Sequence, residues 1–133
     1  MLRVSNLEQS LAFFRDALGL KVLSIRESPG GRFTLAFLAA PGDTQAQIEL
    51  TWNWDPEPHT EGRNFGHVAY AVKDIYATCQ RLSDHGVIIL RPPRDGYMAF
   101  VRSPDNISIE LLQTDSPLPP AEPWVSMDNT GHW

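Results

Sequence analysis

QIELTWNW, residues 47–54, reads as a strand with a carboxylate in its middle. Ile48, Leu50 and Trp52 alternate to one side, and Gln47, Glu49 and Thr51 fall on the other. A half-buried acid in such a strand faces either water or a cavity that holds a cation or hydrogen-bond donors. A second stretch, SIELLQ (108–113), carries the same pattern, so that Glu110 answers Glu49. Whether this is chance or internal repetition decides the fold.

Working outward from 47–54, the elements recur in one order. Met1–Val4 reads as a strand. Asn6 is an N-cap for a helix from Leu7 to Leu18, with Leu7, Leu11, Phe14 and Leu18 as its apolar stripe and Gly19 as its stop. Strands over Leu20–Glu27, Arg32–Ala39 and Gln47–Trp54 follow. Residues 55–64 are polar, hold two prolines and read as a linker. The second half then predicts a strand over Phe65–Val72 and a helix over Ile75–His85, capped by Asp74 and ended by Gly86. Strands over Val87–Leu90, Tyr97–Arg102 and Ile107–Gln113 complete it. VSNLEQSLAFFRDALG (4–19) aligns with VKDIYATCQRLSDHG (72–86) with a one-residue slip.

The expectation is therefore an α+β fold of two βαβββ modules, residues 1–54 and 65–115, forming a curved mixed sheet with an open cleft. Residues 116–133, with four prolines and no periodicity, read as an extended tail tied down by Trp124 and Trp133. That tail either wraps a partner subunit or covers an edge strand.

Composition bounds the function. The chain has 133 residues and a net charge of −5 with no basic run, which argues against nucleic acid. It is 42% apolar and 20% charged, the balance of a globular domain that buries its own core. No apolar run approaches the ~18 residues that span a bilayer, and no leader-like segment opens the chain. The single cysteine, Cys79, forms no internal disulfide, which fits a reducing cytoplasm.

The repeat also nominates a site. Glu49 and Glu110 occupy equivalent strands, and His67 in GHVAYAV lies on the strand before the second helix. A lone strand Glu is ordinarily solvated, and a lone strand His is ordinarily hydrogen-bonded structure. Their joint placement favours a shared site. Imidazole plus two carboxylates suits Zn²⁺, Ni²⁺, Co²⁺, Mn²⁺ or Fe²⁺. Aligning Val4 with Val72 puts the counterpart of His67 two residues before Met1. The expectation is that the complete protein carries a histidine there. Water or the N-terminal amine in its place, or a cleft that has lost catalysis, are the alternatives. His59, His85 and His132 read as structural or surface residues, and mid-helix Cys79 as core.

Over residues 1–113, the stretches MLRVSNLEQSLAFF, QIELTWNW, FGHVAYAV and DNISIELLQ resemble glyoxalase I, the lactoylglutathione lyase family of the vicinal oxygen chelate superfamily, in its short bacterial form. ELTWNW is the most specific piece. The resemblance implies isomerisation of the methylglyoxal–glutathione hemithioacetal to S-lactoylglutathione through an enediolate. It implies a divalent metal, Ni²⁺ or Co²⁺ favoured over Zn²⁺, that holds both substrate oxygens, with Glu49, His67 and Glu110 matching three of the family's four ligands. Glu110 becomes the general base, with Glu49 assisting from the opposite side. Arg3, Asn53 and Arg63 fall where the family binds glutathione, and Arg91 and Arg94 are further candidates. A homodimer with sites between subunits follows by the same analogy. Three relatives of this fold compete: an acyl-CoA epimerase, a metal-free drug-binding module and a ring-cleaving dioxygenase. Glu49 argues against the last, which uses a histidine at that position.

Overall fold

The computed structural model describes residues 1–55, 57–60 and 65–131. The chain divides into two compact units, Met1–Gly62 and Arg63–Trp133. Each contains a mixed sheet with helical structure on one face, the α+β architecture expected from the sequence.

The first unit comprises β1 (Leu2–Arg3), α1 (Leu7–Leu11) with a π-helical continuation (Ala12–Ala17), β2 (Lys21–Ser28), β3 (Phe33–Ala39) and β4 (Gln47–Asn53). Asn6 caps α1 in extended backbone, its Oδ1 accepting the Gln9 N–H at 3.0 Å. The expected single α-helix is corrected in its second half. The Leu18 N–H donates to the Phe13 carbonyl at 2.8 Å, a bond five residues back. The wider turn accommodates burial of both adjacent phenylalanines, Phe13 and Phe14, in edge-to-face contact at 5.0 Å. Gly19 at φ +91° then turns the chain, as its lack of a Cβ permits.

The sheet order is β1-β4-β3-β2, with β1 parallel to β4 and the other pairs antiparallel. Ala36, Leu38 and Leu50 point to the helical side and, with Leu11, Phe14 and Ala17, are buried in the core. The opposite face carries the alternate residues of each strand.

The second unit comprises β5 (Val68–Val72), α2 (Ile75–Asp84), β6 (Met98–Arg102) and β7 (Ser108–Gln113). Asp74 caps α2, accepting from the Ala77 N–H at 2.9 Å, and Gly86 at φ +78° ends it. The order β5-β7-β6, parallel then antiparallel, repeats β1-β4-β3 of the first unit. Ile109, Leu111, Ala99 and Val101 are fully buried, as are Ile75, Cys79 and Leu82 of α2.

Two expectations fail in this half. Val87–Leu90 forms no strand; the fourth position of the sheet is held by a single bridge between Arg91 and Phe100. Pro92 and Pro93 supply no N–H to extend a ladder, and the Leu90 carbonyl accepts from Thr130 and Gly131 of the tail instead. Phe65–His67 also lie outside β5, whose ladder begins where Val68 meets Ile109.

The tail is docked on its own unit rather than simply extended. Trp124 is buried and stacks on Tyr76 of α2 at 6.4 Å, and the Tyr76 hydroxyl donates to the Pro119 carbonyl at 2.9 Å. With its bonds to Leu90, it covers the flank where the strand was expected. Trp133, expected as a second anchor, and His132 lie outside the described residues.

Candidate active site on the open sheet faces

In the second unit the open face is set by register. Glu110 of β7 lies opposite Ala69 of β5 on one side and Phe100 of β6 on the other. The small Ala69 leaves room on one side of the acid, and Phe100 walls the other. His67, just before β5, reaches back to this acid. Its Nε2 stands 3.0 Å from Glu110 Oε2, and its ring meets Phe100 edge-on at 5.4 Å. The Glu110 side chain is 12% exposed and that of His67 43%. The Ser108 hydroxyl, on the same face, is buried with no hydrogen-bond partner among the described residues.

The first unit presents the equivalent surface. Glu49 of β4 lies opposite Phe37 of β3, and its Oε1 accepts the Thr51 hydroxyl at 3.1 Å. Thr51 in turn lies opposite Arg3 of β1. Glu49, Thr51 and Asn53 alternate onto one face, so Arg3 and Asn53 share it with the acid. Both are exposed.

The sequence-derived candidates are thus distributed as follows. His67 and Glu110 are brought together in one unit. Glu49, Arg3 and Asn53 share a face in the other. Arg63 lies outside the described residues. Arg91 donates to the Met98 carbonyl and to Asp95 at 3.1 Å, and Arg94 donates to the Met127 carbonyl in the tail. In this structure Arg91 braces the loop before β6, and Arg94 ties that loop to the tail. Among the described residues of the single chain, no three His, Cys, Asp or Glu side chains gather closely enough to hold a metal ion.

The observed pair fits a metal nevertheless. An imidazole nitrogen and a carboxylate oxygen, 3.0 Å apart on one face, are donor types that a divalent ion takes. Without an ion the same distance is a hydrogen bond, the imidazole N–H donating to the carboxylate. Among the described residues, Glu110 and Glu49 each meet one side-chain donor, so each carboxylate keeps lone pairs for a cation.

One residue of this surface escaped the sequence reading. Arg26 of β2 lies opposite Leu35, the neighbour of Phe37 on the Glu49 face, and its guanidinium rests 5.5 Å above the Phe37 ring. The period-two pattern of Ser24 and Arg26 was the available signal, but its orientation depended on a register shift between Val22 and Ser24.

Two mixed sheets with the same strand order, each bearing an acid at the same register of its open face, define a paired-module α+β class. The chain belongs to the Glyoxalase/Bleomycin resistance protein/Dioxygenase superfamily, whose family model matches residues 1–111. This bears out the resemblance carried by ELTWNW and its companion stretches. A lactoylglutathione lyase of Neisseria meningitidis serogroup A is 43% identical over 122 residues, covering 87% of this chain and 88% of the relative. A lactoylglutathione lyase of Haemophilus influenzae is 40% identical over 122 residues, covering 87% and 90%. The trypanothione-dependent glyoxalase I of Leishmania major superimposes with a TM-score of 0.78 at 35% identity, covering 85% of this chain and 82% of that one. No helix among the described residues is long and apolar enough to cross a membrane.

Proposed function

We propose that this chain is a lactoylglutathione lyase, isomerising the hemithioacetal of methylglyoxal and glutathione to S-lactoylglutathione. The observation that carries the reading is the His67–Glu110 pair on one open face, with Glu49 at the equivalent register of the other. The relatives named above support it.

Glu49, His67 and Glu110 would hold a divalent ion, with Ni²⁺ or Co²⁺ favoured and Zn²⁺ the alternative. When bound, that ion supplies Lewis acidity toward the two neighbouring substrate oxygens, which makes the carbon-bound proton removable by a carboxylate. His67 would present the lone pair of Nε2, the atom that here donates to Glu110. The protein does the remaining work. Glu110, walled by Phe100, takes the proton from the carbon bearing sulfur, leaving an enediolate. The same carboxyl returns a proton to the adjacent carbon. One C–H bond breaks and one forms, and the hydroxyl proton passes from the first oxygen to the second; the aldehyde-derived carbon ends as the thioester and its neighbour as the alcohol. Glu49 assists from the opposite side.

Glutathione carries two carboxylates, which call for fixed N–H donors. Arg3, Asn53 and Arg63 take that role. Arg91 and Arg94 reach the substrate only by exchanging the loop and tail carbonyls they hold here. The chain acts as a homodimer in which Glu49 of one subunit faces His67 and Glu110 of the other, and it works in the cytoplasm.

The test is direct. The purified protein, loaded in turn with Ni²⁺, Co²⁺ and Zn²⁺, is given glutathione and methylglyoxal, and thioester absorbance is followed. Thioester formation that depends on the metal is expected. Folded protein that forms none with any of the three ions overturns the reading.

A further inference from the structure

The four-stranded sheet carries a cation on each side of Glu49. Arg3 lies on β1 at one edge and Arg26 on β2 at the other, with β4 and β3 between them. At about 4.8 Å per strand, three steps separate them by about 14 Å. Arg3 is taken up by the thiol peptide in the proposed lyase. Arg26 is left facing whatever extends from the reacting carbons in the opposite direction.

Arg26 is exposed, but its guanidinium has a defined neighbour. Register puts Arg26 on the face of Leu35 and Phe37, and Phe37 lies directly opposite Glu49. The guanidinium rests over the Phe37 ring at 5.5 Å. Such a contact restrains the side chain before any ligand arrives, yet a ring satisfies none of the in-plane N–H bonds of the fork. Among the described residues, no hydrogen bond or ion pair occupies that fork. The face thus holds a restrained bidentate cation over the ring that lies opposite Glu49, one strand away from the acid. Its complement is a substituent with a short carbon stem and a terminal carboxylate.

We propose that Arg26 is a specificity-determining residue that favours 2-oxoaldehydes bearing a terminal carboxylate, the guanidinium held over Phe37 pairing with the acid. The inference rests on the lyase reading above, since it assigns the far end of that substrate.

The experiment compares wild type, Arg26→Gln and Arg26→Lys in the metal-loaded protein. Two hemithioacetals of glutathione are used, one from methylglyoxal and one from 4,5-dioxopentanoate, a 2-oxoaldehyde ending in a carboxylate. The readout is the ratio of the two kcat/KM values, which is independent of the fraction of folded enzyme. Arg26→Gln lowers the ratio of dioxopentanoate to methylglyoxal about 10-fold or more, the scale of a lost charge-assisted pair. Arg26→Lys, which keeps the charge but not the fork, falls between. An unaltered ratio in Arg26→Gln, with both activities reduced together or neither reduced, overturns the Arg26 assignment while leaving the lyase reading intact. Wild type that turns over neither hemithioacetal overturns both.

Discussion

His67 Nε2 stands 3.0 Å from Glu110 Oε2, joining a residue just outside the strand ladder to an acid in its middle. The pair is held by Phe100, which lies opposite Glu110 in register and meets the His67 ring edge-on. Glu110→Gln keeps the volume of the side chain and removes both the base and the anionic ligand. A fall in kcat of about 100-fold to 10,000-fold is expected, the range spanned by general acid–base groups. Bound metal per subunit, measured by elemental analysis, falls with it, while the thermal midpoint of the metal-free protein stays close to wild type. A variant that retains metal and turnover would remove Glu110 from the chemistry.

The assignment of Glu49 to one subunit and of Glu110 to the other makes a prediction about mixtures. Glu49→Gln and Glu110→Gln homodimers are each expected to be inactive. Co-expressed, they form heterodimers in which one site carries both substitutions and the other carries none. With random pairing, half the dimers are mixed and half their sites intact, so about a quarter of wild-type activity returns. Activity that stays at the level of the separate variants would place Glu49 and Glu110 of one site in one chain.

Much of the fold within each unit was legible because it is local or strictly periodic. Asn6 and Asp74 cap their helices through bonds three residues long, which a sequence displays directly. Glu49 and Glu110 could be matched because a strand repeats every two residues. What remained hidden depends on partners distant in sequence. The π-helical turn is invisible to a 3.6-residue stripe that counts Phe14 and skips Phe13, although both are buried. The strand expected at Val87–Leu90 is displaced because Leu90 gives its carbonyl to Thr130 and Gly131, forty residues on in the tail. Gln113, read only as the end of a strand, is buried. Its Oε1 accepts the Ile75 N–H at 2.9 Å, and its Nε2 donates to the Lys73 carbonyl at 2.8 Å. No pattern around Gln113 announces that role.

Cys79, a core residue by its mid-helix position, is fully buried in α2. Burial pushes its thiol up to about 12, so almost no thiolate forms at mildly alkaline pH. A disulfide reagent is therefore expected to leave the native protein unlabelled and to titrate one thiol after denaturation. Prompt labelling of the native protein would mean that α2 opens from its sheet far more readily than its packing indicates.

Asp95 ties the loop before β6. Burial raises its carboxyl, but the N–H groups of Tyr97 and Met98 and the Arg91 guanidinium outweigh that and hold it below its ordinary value of 3.8. The unfolded chain therefore takes up this proton more readily than the folded one. The stabilisation is full above the ordinary value and is lost as pH falls through the folded value. Asp95→Asn keeps an oxygen for the two backbone donors but loses the charge. Denaturant midpoints of wild type and Asp95→Asn are expected to differ near neutrality and to converge with acidification through that range. A gap that persists in acid would assign the effect to shape rather than charge.

The tail and the loop before β6 meet where only a glycine fits. Gly96 sits at φ +68°, and a Cβ there would stand 1.9 Å from the Leu118 carbonyl oxygen, whose own N–H donates to Gly96 O at 3.0 Å. Gly96→Ala combines a left-handed alanine with a clash against backbone that cannot rotate aside, so a loss of about 2 kcal/mol or more is expected. Trp124→Ala removes the indole stacked on Tyr76 and is expected to cost about 3 kcal/mol. These contacts lie at two points along one segment. If the tail docks as a unit, the first substitution releases what the second would have removed, and the double variant loses less than the sum. Denaturant unfolding of the two single variants and the double variant measures this coupling. Strict additivity would mean that residues 117–120 and Trp124 dock independently.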